Sequence, residues 1–389
     1  MNVLFLTHSY PRFATDPVGS FVLRLAVALR DEGVFVHVVA PSAPGLARRE
    51  ELEGIPVERY RYAPRGRETL AYTGAMQSMV RDSWSARAAL GGLVASGFVA
   101  ALGAARRWRP AAIHAHWWFP GGLTGSGVSA LRGVPLVTTL HGSDLRVARG
   151  GAVAQRLFAH VARRSSVLTT VSTWLADEAR RLAPGADPVV GPMPVATAAF
   201  TLRQTTVREQ LLFVGKLNEQ KGIVPLLHAL TKMRHTPKLD IVVGVGSEEG
   251  PTRQLARQLG VEGQLRWFPL LEQPKLAERY RCATALVVPA IDEGLGMTAI
   301  EAQLSGTPVV AFASGGLTDI IEDGRTGFLV PPRDVDALAA TLDCLLDMPD
   351  QGAALGVTGR EHALALFSPA AVARRYVDIY GRARGARQG

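Results

Sequence analysis

Residues 293–301 read EGLGMTAIE and set two carboxylates, Glu293 and Glu301, eight residues apart around a turn from strand to helix. The run Ala285–Pro289 before it has the composition of a buried parallel strand, and Met297–Ser305 after it reads as a helix stopped by Gly306. Glu293 is therefore expected at the carboxyl end of a strand. Gly294 and Gly296 let the backbone approach a ligand, and the N–H groups that open the helix favour a negatively charged oxygen or a hydroxyl. Glu301 lies about two helical turns further on and can reach another part of the same ligand. Carboxylates accept hydrogen bonds, so the pair suits hydroxyl-rich molecules.

Working outward, the same strand and helix rhythm fills the chain. Strand-like runs at Asn2–Thr7, Val34–Ala40, Ala112–His116, Leu136–Leu140 and Val167–Thr170 alternate with helical ones. Such alternation predicts an open parallel sheet covered on both faces. Between Pro184 and Thr206 the pattern gives way to prolines and small polar residues, the composition of a linker. A second series then starts at Gln210–Val214 and runs through Leu239–Gly244, Leu265–Phe268, Ala285–Val288, Val309–Phe312 and Gly327–Val330. The expectation is two doubly wound domains, residues 1–190 and 209–368, joined by 191–208, with 369–389 as a helix returning to the first domain. Ligands of such sheets bind beyond the carboxyl ends of the strands, which places the expected site in a cleft between the domains.

Bulk composition narrows the classes. At 389 residues, 47% apolar and 20% charged, the chain has the make-up of a soluble globular protein. No segment reads as a cleaved signal peptide, so a cytoplasmic location is expected, with the inner face of a membrane as an alternative. Ala88–Ala105 is strongly apolar but broken by four glycines, which makes it a weak spanning helix and a better buried or interfacial one. Cys282 and Cys344 fit neither a disulfide framework nor a metal cluster and read as small core residues. Basic residues exceed acidic ones by 43 to 34, and arginines gather between Arg48 and Arg109. That excess suits nucleotide phosphates or an anionic membrane surface, or is simply a set of solvated faces. No zinc-finger pattern, RNA-binding signature or long basic block points to nucleic acid.

Three patterns imitate other sites. His114 and His116 point to one face of a strand, but no third metal ligand accompanies them; with Trp117, Trp118 and Phe119 they read either as a wall for a sugar or acceptor or as ordinary packing. GVGSEEG at 244–250 has the wrong glycine spacing for a dinucleotide fingerprint and is expected to shape a base or ribose pocket. Asp334 and Asp336 form a DxD string at the start of a helix, where capping explains them.

With these motifs in place, the chain resembles the retaining nucleotide-sugar glycosyltransferases of family 4, which have the two-domain GT-B fold. The resemblance covers nearly the whole chain and rests on Gly19 at a helix start, TLHGSDL (Thr139–Leu145), VGKLNEQKG (Val214–Gly222) and EGLGMTAIEAQLSGTPVV (Glu293–Val310). GGLTDII (Gly315–Ile321) and DGRTGFLVPP (Asp323–Pro332) follow in the family's order. It implies that Lys216 and Lys221, carried with Gly215 on the loop after Gln210–Val214, neutralise a diphosphate. Lys216 stands where the family usually has Arg, which replaces a bidentate fork by a point charge. Gly19 matches the amide donor to the far phosphate, although Val18 breaks the family's paired glycines. His141 matches the histidine beside the sugar, with Asp144 orienting its loop. Glu293 would hold the donor sugar's hydroxyls, the amides of Gly294, Leu295, Gly296 and Met297 would lie near sugar and phosphate, and Glu301 would hold the ribose.

The implied reaction is transfer of a sugar, with retention, from a nucleoside diphosphate sugar to a hydroxyl acceptor, lipid-linked acceptors included. Neither metal nor other cofactor is expected, since the lysines and the helix N-terminus stand in for a cation. Rival readings are a nucleotide-sugar epimerase on the same scaffold and a noncatalytic sugar-nucleotide or membrane-binding protein. UDP, GDP and ADP donors, the sugar, the acceptor and the oligomeric state are all left open.

Overall fold

The computed structural model describes residues 1–73, 76–202, 210–244, 247, 249–348, 350 and 352–386. It divides into two compact units, Met1–Pro194 together with the C-terminal helix Pro369–Gly385, and Val195–Ser368.

Among the described residues the first unit holds β1 (Asn2–Leu6), β2 (Phe35–Pro41), β3 (Arg49–Leu52), β4 (Ile55–Tyr60), β5 (Ala112–His116), β6 (Leu136–Leu140), β7 (Val167–Thr170) and β8 (Val189–Val190). Their order across the sheet is β3-β4-β2-β1-β5-β6-β7-β8, parallel throughout except for the β3–β4 pair. Strands β5 and β6 are buried along their whole length, as a sheet covered on both faces requires. The β3–β4 hairpin falls in a stretch where arginines and glutamates hide the alternation of a strand, and sequence reading did not find it. Of the arginines there, Arg59 is buried and paired with Glu50 at 2.7 Å, so the basic run is not wholly a solvated face.

Among the described residues one helix, Trp84–Trp108, is long and apolar enough by length and composition to cross a membrane. Two of its glycines, Gly92 and Gly97, mark contacts with the chain at Tyr60 and Tyr62, whereas nothing lies within 4 Å of a Cβ at Gly91. A Cβ on Gly92 would lie 2.2 Å from the Tyr62 carbonyl oxygen, so only glycine lets this helix lie against the chain after β4. Ala101, Ala104 and Ala105 join Leu4, Leu6, Val39 and Ile113 in one core cluster. The helix Pro369–Gly385 packs on the first unit's helix Ser20–Asp31 and buries Tyr376 and Tyr380. Tyr376 donates to the Gly191 carbonyl at 2.8 Å, and Gly191 donates to Thr170 at 2.8 Å, so the proline-rich stretch is anchored to this sheet at its start. The expected linker residues 203–208 lie outside the described residues.

The second unit holds β9 (Gln210–Gly215), β10 (Lys238–Val243), β11 (Leu265–Phe268), β12 (Ala283–Val288), β13 (Val309–Phe312) and β14 (Gly327–Val330), all parallel in the order β11-β10-β9-β12-β13-β14. Its core joins Leu211, Phe213, Ile241, Val287 and Val310 to the helices Ile223–Lys232 and Val335–Asp347. Asp334 accepts from Ala337 N–H at 2.9 Å as an N-cap, and Asp336 pairs with Lys232 at 2.7 Å. The cysteines depart from expectation: Cys282, the last residue of its helix, is half-buried, and Cys344 is exposed, on the helix face away from Leu338 and Leu342.

Candidate active site

In the second unit the chain winds outward from β9 to β11, then returns to the middle and winds the other way from β12 to β14. The carboxyl ends of β9 and β12 thus flank the point where the strand order reverses, where loops diverge and leave room for a ligand. Gly215 ends β9, Lys216 and Lys221 follow it, and Glu293 follows β12. Lys221 Nζ lies 2.5 Å from Glu293 Oε2, with both side chains half-buried. Residues 72 positions apart are thereby brought into one ion pair.

Backbone contacts hold that pair. Ile291 N–H donates to Gln220 O at 2.9 Å, Gln220 Nε2 donates to Asp292 O at 3.3 Å, and Asn218 caps the Lys221 N–H at 3.0 Å. Gly222, at φ 75°, comes so close to β12 that a Cβ there would lie 1.8 Å from Pro289 O. On the other side, Gly316 N–H donates to Glu293 O at 2.7 Å and Ser314 Oγ accepts from Asp292 N–H at 3.0 Å. Gly294 and Leu295 lead to Gly296, at φ 94°, which opens the helix Met297–Leu304 without a side-chain cap. Lys216 is exposed and its ammonium makes no hydrogen bond or ion pair among the described residues. Glu301, two turns along that helix, accepts a hydrogen bond from the buried Tyr280 hydroxyl at 3.0 Å. Tyr280 was missed from sequence: it sits on the helix Gln273–Cys282, and nothing local links it to Glu301. Of the expected GVGSEEG pocket, Val245, Gly246 and Glu248 lie outside the described residues; Ser247 Oγ accepts from Leu217 N–H at 3.0 Å.

In the first unit the order reverses between β1 and β5. His8 follows β1, Trp117 follows β5, and His141 follows the neighbouring β6. Asp144 builds the turn at His141: its buried Oδ1 accepts from the N–H groups of His141 at 3.1 Å and Gly142 at 2.9 Å. His141 remains partly exposed, with Trp117 at 4.5 Å and Phe21 at 5.1 Å between ring centroids. Phe21 is carried by the helix that Gly19 opens at φ 71°; a Cβ on Gly19 would meet Ser9 O at 2.4 Å, so close packing is reason enough for glycine there. The two strand histidines separate in role. His114 is a core residue, bonded to Tyr380 at 2.8 Å and Thr139 at 2.7 Å, whereas His116 Nδ1 lies 3.2 Å from His141 Nε2. Trp118 is buried, with its indole N–H on Asp144 O at 2.7 Å, so Trp117 alone of the tandem tryptophans faces His141.

Burial holds these histidines neutral. It lowers His114 to about 3 and His8 to about 4, and it drives His116 and His141 well below the ordinary value, with neighbouring imidazoles adding to the effect at His114, His116 and His141. Asp144 moves the opposite way, to about 6, because burial outweighs its backbone hydrogen bonds. Below pH 6.5 the unfolded chain takes up protons that the folded histidines refuse, so their contribution to stability, present above that pH, is lost as pH falls. At pH 5 His114 alone accounts for about 2 kcal/mol. Asp144 opposes this, since its folded form gains a proton first as pH drops through 6, but one carboxyl stands against four imidazoles. Urea denaturation is expected to show a stability loss of at least about 2 kcal/mol between pH 7 and pH 5; a flat profile would refute the neutral cluster.

Residues 18–192 match the family described as Glycosyl transferase 4-like domain, and residues 199–362 match Glycosyl transferases group 1. D-inositol 3-phosphate glycosyltransferase of Thermobispora bispora is 33% identical over 302 residues, covering 70% of this chain and 70% of that protein. Among solved structures, sucrose-phosphate synthase of Thermosynechococcus elongatus superposes with a TM-score of 0.79 at 22% identity over 99% of each chain. Anabaena HepE, solved with UDP and glucose, gives 0.72 at 18% identity over 98% of this chain and 99% of its own. Two Rossmann-like units of this topology are the GT-B fold, and the activity is that of a glycosyltransferase. The chain belongs to the group 1 glycosyltransferases.

Proposed function

We propose that the donor is a nucleoside diphosphate sugar, that the sugar passes to a hydroxyl acceptor with retention of configuration, and that no metal ion is needed. The observation that carries this reading is the Lys221–Glu293 pair at the strand-order reversal, beside a helix opened by glycine. A diphosphate arriving there exchanges one anion for another at Lys221, recruits the exposed Lys216, and releases Glu293 to accept from the sugar's hydroxyls. The amides from Gly294 to Met297 and that of Gly19 add donors for phosphate oxygens. Glu301, oriented by Tyr280, takes the ribose diol. UDP in the Anabaena neighbour is a ligand of this kind.

His141 addresses the donor sugar from its own unit. In the step proposed, the bond from the anomeric carbon to the phosphate oxygen breaks with its electron pair leaving on the diphosphate. The acceptor oxygen bonds on the same face, and its proton passes to the departing phosphate. Asp144 is not a nucleophile in this scheme, because its oxygens are turned to backbone N–H groups. Lysines and helix dipole supply the positive charge a metal would otherwise bring. Acceptors of cell-envelope polysaccharide, glycolipid or glycosylated-metabolite synthesis fit this chemistry, in the cytoplasm or at its membrane surface.

A thermal-shift panel of UDP, GDP and ADP is expected to single out one base. Product analysis by NMR with that base's sugars and mixed acceptors, with and without EDTA, then tests the rest. Inverted product, or activity abolished by EDTA and restored by a divalent cation, would overturn the corresponding part. Sugar isomerised in the absence of acceptor would favour an epimerase instead.

A further inference from the structure

We infer that His116 is a positioning residue that holds His141 in the tautomer carrying its proton on Nδ1, so that His141 offers an N–H donor to the substrate; this rests on the proposed role of His141 at the donor sugar. The two rings are near parallel, 25° apart with centroids at 5.4 Å, and His116 Nδ1 faces His141 Nε2 at 3.2 Å. Between two neutral imidazoles one nitrogen must donate and the other accept.

The far side of His116 decides which. His116 is fully buried, edge-on to Phe5 at 4.9 Å between centroids, and its Nε2 has no hydrogen-bond partner. Were the proton on Nε2, a buried N–H would be left without an acceptor, the rarer and costlier defect; a bare ring nitrogen leaves only an unused lone pair. His116 therefore carries its proton on Nδ1 and donates to His141 Nε2. With Nε2 occupied as an acceptor, the neutral His141 ring must be protonated at Nδ1. That nitrogen makes no hydrogen bond among the described residues, on a side chain that is partly exposed. His114 cannot substitute for His116, since both its nitrogens are bonded to Tyr380 and Thr139.

The test combines spectroscopy with kinetics. In long-range 1H–15N spectra of histidine-labelled full-length protein, His141 is expected as the Nδ1–H tautomer and His116 as a donor at Nδ1. His116→Phe keeps a flat ring but removes the donor; kcat should fall at least tenfold while KM for the donor changes less than threefold, and His141 should become a tautomer mixture. His116→Asn places an amide N–H near the old Nδ1 and should bring kcat back within threefold of wild type, with the Nδ1–H form of His141 restored. An Nε2–H His141 in the wild type overturns the inference, as does a His116→Asn variant no faster than His116→Phe. If His116→Phe does not fold, the wild-type and His116→Asn spectra decide. Should His141→Ala keep full activity while the tautomer is as described, the role of His141 at the sugar fails and the His116 contact stands.

Discussion

Replacing Lys221 by Ala is expected to lower kcat by two to three orders of magnitude while the protein stays folded. In the proposed reaction charge develops on a departing diphosphate, and a preorganised cation aimed at it is worth that much when removed. The fold should survive because Lys221 is half-exposed and its loop is held by backbone contacts through Gln220, Asn218 and Gly222 rather than by the ammonium. Glu293→Gln removes the carboxylate proposed to face the sugar and is expected to fall as far. The double variant should cost less than the product of the two singles, since the residues act as a unit. Steady-state transfer assays paired with circular dichroism make the check, and full activity in either single variant would remove the proposed site.

Gly222→Ala should be the most destabilising change in the second unit's site. The residue sits at φ 75°, where an L side chain is strained, and its Cβ would be driven to 1.8 Å from a backbone oxygen of Pro289. Neither the loop nor the end of β12 can yield without parting Lys221 from Glu293. We expect a loss of about 4 kcal/mol or more, the range reserved for specific structural faults. Gly263→Ala supplies the contrast: nothing lies within 4 Å of a Cβ there, and the change should stay within about 0.5 kcal/mol. Urea denaturation of both variants tests the argument, and equal stabilities would refute it.

Much of the architecture was legible in the chain. Buried parallel strands announce themselves as short apolar runs, so β9, β10, β12 and β13 could be read directly, and EGLGMTAIE marked the turn between β12 and its helix. Where charge masks the period, as in Arg49–Leu52, the strand was lost, because its cross-strand partners rather than its own pattern stabilise it. Candidate residues were also legible one loop at a time: His141 after β6, Lys221 after β9, Glu293 after β12.

Their partners were not. Residue types and local periods depend on neighbours a few positions away, and they settled the two-sheet class, the glycine-opened helix and the acidic and basic groups at strand ends. Only the tertiary structure paired Lys221 with Glu293, gave Glu301 to Tyr280, kept His114 for the core and turned His116 toward His141. Each of those contacts joins positions more than 20 residues apart, with the strand order setting which loops become neighbours, and that order follows from packing the whole sheet rather than from any one segment.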